Sequence, residues 1–163
     1  NGAVAEQQAK YAGLQLLDNP KRVESENNSE KAYQVAKEVM KSHPEVTGFV
    51  GTSSMDTPGI ARAINELGLT GKVFVVGTGM PNECRSLIKD GSLSYITLWD
   101  PAEAGYAMCV MARQILEGKQ MQEGTDLGLK SYSKLVQSKD NPHLFMGAGW
   151  IAINKDNVDK YNF

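Results

Sequence analysis

Trp99 and Asp100 stand side by side in the run LWDPAEAGY at residues 98–106. An indole at the carboxyl end of a strand can cover the C–H face of a sugar, and an adjacent carboxylate can accept hydrogen bonds from vicinal hydroxyls. The pair therefore suits a polyol. The plainer reading places Trp99 in a core and uses Asp100 to cap a helix that starts at Pro101. A second cluster, GTSSMDTP at residues 51–58, carries Thr52, Ser53, Ser54, Asp56 and Thr57. It is either a hydroxyl-rich loop for a polar ligand or a turn in which Asp56 is the helix N-cap, and a cap at Asp56 leaves Ser53 and Ser54 free for ligand contacts. The third is GTGMPN at residues 77–82, with Thr78 and Gly79 at a tight strand-to-helix turn.

Other chemistries find little support. The third glycine of a dinucleotide fingerprint is replaced by Asn82 in GTGMPN, and residues 51–58 lack the GxxxxGK[ST] pattern of a phosphate loop, keeping only a faint likeness to flavin mononucleotide loops. His43 and His143 are the only histidines, neither lies in HExxH, and Cys84 and Cys109 show no CxxC spacing. No metal site and no cofactor are expected. There is no GxSxG elbow, Ser54 has no motif-linked base, and the carboxylates alone do not mark a general acid and base. Nothing here requires an enzyme.

Elements must position these clusters. Residues 3–17 place apolar side chains near a 3.6-residue period and predict an amphipathic helix. Residues 22–26 suit an edge strand, and Asn28 or Ser29 caps a helix running to Ser42. Residues 46–51, 72–77, 93–98 and 149–154 read as short strands. Helices are predicted over 57–67, 81–89 and 101–116, with a short terminal helix at 156–161. From 119 to 146 the periodicity is lost, which predicts an irregular excursion. Strands alternating with helices of this length indicate an open, doubly wound, mostly parallel α/β sheet with helices on both faces. In such sheets ligands bind beyond the carboxyl ends of the strands, where all three clusters fall and where helix N-termini direct backbone N–H groups toward the ligand. The first clear element is a helix, whereas right-handed winding feeds each such helix from a strand. The first strand therefore reads as missing, and the chain as a C-terminal fragment of something longer.

Bulk properties bound the partners. The 163 residues fit one domain, and 17 basic against 19 acidic residues leave a net charge of −2, with no electrostatic footprint for nucleic acid. The longest apolar run, residues 107–112, is far short of the roughly 20 residues that span a bilayer. Nothing near Asn1 has the profile of a signal peptide, so the chain is either cytoplasmic or has lost its front end.

The whole chain resembles the C-terminal part of bacterial sugar-type solute-binding proteins that serve ABC transporters. The likeness runs through SSMDTPGIARAINELG, KVFVVGTGMPNECRSLIKDGSLSYITLWDPAEAGY and WIAINKDNVDKYNF. LWDPAEAGY and INKDNVDKYNF are most similar to the branch with autoinducer-2 and rhamnose receptors. The resemblance implies residues 1–163 as one lobe of a type I periplasmic-binding-protein fold, its N-terminal lobe absent, with an extracytoplasmic location and a lipid anchor on the lost front end as one means of attachment. It implies a sugar or autoinducer-2-like ligand, a membrane permease as partner, and ligand contacts at Ser53, Ser54, Thr78, Gly79, Trp99 and Asp100, with Asp56 beside them. Where Ser53 and Gly79 stand, many pentose and hexose binders have Asn or Asp, so the sugar stays open. A LacI-type regulator shares the lobe and is the alternative, but it needs a helix-turn-helix segment that this chain does not contain.

Overall fold

The structure, a computed structural model, describes residues 9–17 and 22–163. Helix α1, Ser29–Ser42, begins where Asn28 is extended (φ −126, ψ 121) and its side chain accepts the Lys31 N–H at 2.9 Å. Asn28, rather than Ser29, is the cap. The buried face of α1 is Ala32, Tyr33, Ala36, Val39 and Met40, the spacing of one helical stripe. Helix α2, Asp56–Glu66, lies against it and buries seven residues, among them Ile60 and Ile64. Tyr33 and Lys37 of α1 both reach the Glu66 carboxylate, Lys37 at 2.6 Å, so a polar clasp joins the open side of the two helices.

Four strands form the main sheet: β1 Gly48–Gly51, β2 Phe74–Thr78, β3 Tyr95–Trp99 and β6 Trp150–Ile153, in the order β1-β2-β3-β6. The first three run parallel and β6 is antiparallel to β3. Helix α3, Pro81–Asp90, joins β2 to β3 and buries Cys84 and Ile88 in the same core as Val75, Ile96, Leu98 and Ile153. Burial pushes the Cys84 thiol up to about 12, with the Glu83 charge adding to it, so this sulfur stays a neutral core group. Cys109, by contrast, is exposed. Gly51 and Gly77 are register partners, and a Cβ on Gly77 would be driven into the Gly51 carbonyl and onto Thr57 Oγ1 at 2.6 Å. Only glycine lets the first turn of α2 sit so close over these strand ends.

After β3 the chain leaves the sheet. Helix α4, Pro101–Leu116, is followed by a 3-10 turn at Lys130–Tyr132 and a two-stranded ribbon of β4 Val136–Gln137 and β5 Phe145–Met146. Ala107, Leu127 and Leu135 form a second, small core there. The chain returns as β6 and closes with a 3-10 turn, Val158–Lys160. Arg85 pins this tail to α3 through the carbonyls of Val158 (3.0 Å) and Tyr161 (2.7 Å) and the Asp159 carboxylate (3.0 Å).

Several expectations need correction. The helix over 3–17 lies outside the described residues up to residue 8; Ala9 and Lys10 are helical, and a turn follows at residues 12–13. Residues 22–25 form no strand, and Glu26 and Asn27 turn at φ 53 and 55. A strand needs a neighbour for its ladder, and among the described residues none pairs with 22–25. The terminal helix over 156–161 is a single 3-10 turn. The α/β class with a mostly parallel sheet holds. Among the described residues, α1, α2 and α3 share a core with Val75 and Ile96 on one face of the sheet, and Val50, Phe74 and Val76 on the other are exposed.

Candidate functional site

The three clusters follow three adjacent parallel strands: residues 52–56 leave β1, Thr78 and Gly79 end β2, and Trp99 and Asp100 end β3. With neighbouring strands about 4.8 Å apart, they line one rim over roughly 10 Å. This is the carboxyl edge of the sheet, where the loops open onto helices.

At the first loop, Ser53 takes the role expected of Asp56. Its Oγ accepts the N–H groups of Met55 and Asp56, each at 3.2 Å, while Met55 at the cap position makes no side-chain bond. The Ser53 hydroxyl also bonds the Asp56 carboxylate, so it is held within the loop. Asp56 is the first residue of α2, and its carboxylate folds back onto the loop, accepting from Ser53 N–H (2.9 Å), Thr52 N–H (3.1 Å) and the Ser25 hydroxyl. Burial pushes this carboxyl up, but the bonds from Ser25, Ser53 and Thr52 outweigh it and hold the group below its ordinary value. Ser54 is half-buried beside them.

The second loop is tied to the first. Thr57, fully buried, donates its hydroxyl to the Thr78 carbonyl at 2.6 Å. Gly79 is buried under Cys84 and Ile96; a Cβ there would meet Cys84 Sγ at 2.8 Å, so this position offers backbone alone. At α3 the N–H of Asn82 donates to the Phe163 carbonyl at 3.2 Å.

At the third loop, Asp100 is the cap of α4, and its Oδ1 accepts the N–H groups of Ala102 (2.8 Å) and Glu103 (3.2 Å). Both bonds fall on one oxygen, so Oδ2 keeps its lone pairs. Trp99 is not a core residue: it is 45% exposed. Trp150 stands opposite it in the ladder, the two rings at 5.5 Å and 90°. The sequence presents Trp150 only as the start of a strand; the antiparallel register that brings it to Trp99 has no local signal.

The helix ends therefore differ from expectation. Each of the three has early amides occupied by an oxygen of the chain itself, and two carry a carboxylate there, Asp56 and Asp100. Such ends repel an anion and leave hydroxyl and carboxylate oxygens as the exposed hydrogen-bonding groups. Among the described residues, no three His, Cys, Asp or Glu side chains gather where a metal ion could sit, and no helix is long and apolar enough to cross a membrane.

Comparison with known proteins places this geometry. The D-allose-binding periplasmic protein of Escherichia coli (strain K12) is 32% identical over 75 residues, 46% of this chain and 24% of that protein. A sugar ABC transporter structure from Actinomyces odontolyticus superposes with a TM-score of 0.72 at 28% identity, covering 86% of this chain and 45% of that one. LsrB from Clostridium saccharobutylicum in complex with AI-2 superposes with a TM-score of 0.76 at 23% identity, covering 96% and 52%. The chain thus spans about a quarter of the curated relative and about half of the two structures. The model of the periplasmic binding protein domain matches residues 1–120. With that match over most of its length and an α/β sheet of the same fold, the chain belongs to the periplasmic binding protein family.

Proposed function

We propose that this chain is the C-terminal lobe of an extracytoplasmic receptor that captures a small polyhydroxylated ligand, a sugar or an autoinducer-2-like diol, and delivers it to the permease of an ABC transporter. The carrying observation is the exposed indole of Trp99 at the end of β3, next to an Asp100 whose Oδ2 is open. An apolar ring face beside a carboxylate oxygen matches a ligand with a C–H face and hydroxyl edges. Ser53, Ser54 and Thr78 supply further hydroxyls along the rim, Gly79 a backbone approach, and Asp56 holds the first loop in shape. The carboxylates at two helix ends favour a neutral polyol over a phosphate ester, and residues 77–82 lack the third glycine of a dinucleotide loop.

Binding is the whole task in this reading; nothing is transformed, in keeping with a family of binding proteins. Closure of a second lobe over the rim removes water from the ligand's hydroxyls, so each one left unpaired weakens binding and selectivity follows. The ligand biases the open-to-closed equilibrium by its differential affinity for the closed form. A lobe N-terminal to this one fits the share of its structural neighbours that the chain covers and the exposed Tyr106, Met108 and Leu116 on α4. The receptor works in the periplasm or at the cell surface, where a lipid on a preceding segment is one means of attachment. A LacI-type regulator is disfavoured, since the matched relatives are solute-binding proteins.

In the receptor containing this chain, Trp99→Ala and Asp100→Ala should each weaken sugar-type binding by at least about 1 kcal/mol while the fold persists. Calorimetry against rhamnose, ribose, other monosaccharides and autoinducer-2 checks this. Unchanged affinity in both variants removes the assigned pocket.

A further inference from the structure

We propose that Trp150 and Thr97 join Trp99 and Thr78 in a subsite for one pyranose or furanose ring, with Trp150 as its second aromatic wall. The inference rests on the polyol-binding reading above and names two contact residues which that reading lacks.

The register makes the corner. Trp150 opens β6 directly opposite Trp99 at the end of β3, and the edge-to-face contact at 90° sets two apolar surfaces at a right angle. Stacked rings would hide each other's faces. Here Trp99 stays 45% and Trp150 65% exposed. Neither indole hangs on a loop: both are the terminal residues of paired strands, which fixes their backbone.

The same face carries hydroxyls at the right distance. Alternation along β3 puts Thr97 on the side of Trp99, and the β2–β3 ladder sets Thr78 beside Thr97. Strand spacing of about 4.8 Å and a rise of about 6.7 Å over two residues put the backbone positions of Thr97 and Thr78 roughly 7 and 8 Å from that of Trp99, the scale of a sugar ring. Thr78 engages a neighbour through its carbonyl, from Thr57, and among the described residues neither its hydroxyl nor that of Thr97 has a partner. The open Oδ2 of Asp100 completes a rim of neutral and anionic acceptors around an apolar corner. That is a complement for a ring with one C–H face and equatorial hydroxyls, not for an anion or an extended chain.

The corner also lies where the chain leaves the sheet after Trp99 and re-enters at Trp150. A brace for those two crossings is the competing role, and it predicts loss of stability without any response to sugar.

The chain has two tryptophans, both in this corner, so 5-fluorotryptophan labelling gives one fluorine resonance for each. In the receptor containing this chain, Trp99→Phe and Trp150→Phe assign them, and L-rhamnose, D-allose, D-ribose and autoinducer-2 are titrated. Both resonances should shift with one saturation curve for the sugar that binds. By calorimetry Trp150→Ala should weaken that sugar about fivefold or more, Trp150→Phe should retain most of the affinity, and Thr97→Val should lose about threefold. A static Trp150 resonance with unchanged affinity in Trp150→Ala overturns the subsite, while continued loss in Trp99→Ala keeps the polyol reading. Failure of the unsubstituted receptor to bind any of the four overturns both. Should Trp150→Ala not fold, the fluorine shift at Trp150 and the Thr97→Val affinity decide the matter.

Discussion

The sheet unit, Ser29 to Trp99 with 150–163, and the segment 101–149 between its two halves differ in what their apolar residues find. In the first, 16 buried residues drawn from α1, α2, α3, β2, β3, β6 and the segments beside them form one core, with Phe49 of β1 packed against it. In the second, three do. Helix α2 has 11 residues and buries seven; α4 has 16 and buries Ala107 alone, leaving Tyr106, Met108, Ile115 and Leu116 exposed. The sequence of α4 is no less apolar than that of α2. What separates them is a surface to meet: α2 lies between α1 and the sheet, whereas α4 departs from the sheet at its first residue. An apolar face states a demand for burial, and the rest of the chain decides whether it is met. Stability should therefore be concentrated in the sheet unit, with α4 opening at lower free energy.

Paired substitutions in the two units test this. The largest contrast is between glycines. In Gly77→Ala the new methyl meets the backbone of Gly51, with its carbonyl carbon at 2.8 Å, so strands or helix must separate; a loss of about 4 kcal/mol is expected in urea unfolding. Gly105→Ala in α4 meets nothing within 4 Å and should stabilise by about 0.5–1 kcal/mol through helix propensity. Equal effects at the two positions would erase the distinction. Next comes side-chain truncation. Ile64 is fully buried, and Ile64→Ala should cost about 3 kcal/mol. Leu116, 88% exposed, should change stability by less than about 0.5 kcal/mol when truncated to Ala.

The same contrast explains what could be read in advance. Residues 46–51, 72–77 and 93–98 announced β1, β2 and β3 because a strand buried in a parallel sheet is a short β-rich run, and Asn28 announced the start of α1 because capping is local. The strand at 22–26 did not form, since a lone extended segment has no local energy to hold it without a ladder partner. At the site, Asp100 as a helix cap and the placing of three clusters at strand ends were legible. The exchange of roles between Ser53 and Asp56 was not: either oxygen type can cap, and the choice was made by Ser25, 31 residues away. Trp150 was silent for the same reason, because the β3–β6 register is a long-range fact.

A third test lies at the junction of two rim loops. Thr57→Val keeps the shape of a fully buried side chain and deletes its bond to the Thr78 carbonyl. A carbonyl that loses its donor in the interior costs about 1–3 kcal/mol, which should appear in the unfolding free energy. Amide exchange should quicken at both residues 52–54 and residue 78. Exchange that quickens on one loop alone would show that the bond does not couple them.

The smallest effect separates two carboxylates at two helix starts. Among the described residues the Asp100 side chain bonds only Ala102 and Glu103 of its own helix, so Asp100→Ala should fray the first turn of α4 by about 1 kcal/mol and leave the rest of the fold in place. Asp56 reaches Thr52, Ser53 and the distant Ser25, so Asp56→Ala, at a similar or smaller cost of about 1 kcal/mol, should also loosen residues 22–28. Acid should do the same. Because the folded-state carboxyl of Asp56 lies below its ordinary value of 3.8, the stability it contributes is fully present above that value and is lost as the pH falls through the folded one. The amide resonances of Thr52 and Ser53 should report a titration step with a midpoint below 3.8, and Asp56→Asn should abolish it. A step above 3.8 would mean that burial prevails over the three donors, and the tie between Ser25 and the rim would then be too weak to hold the loop.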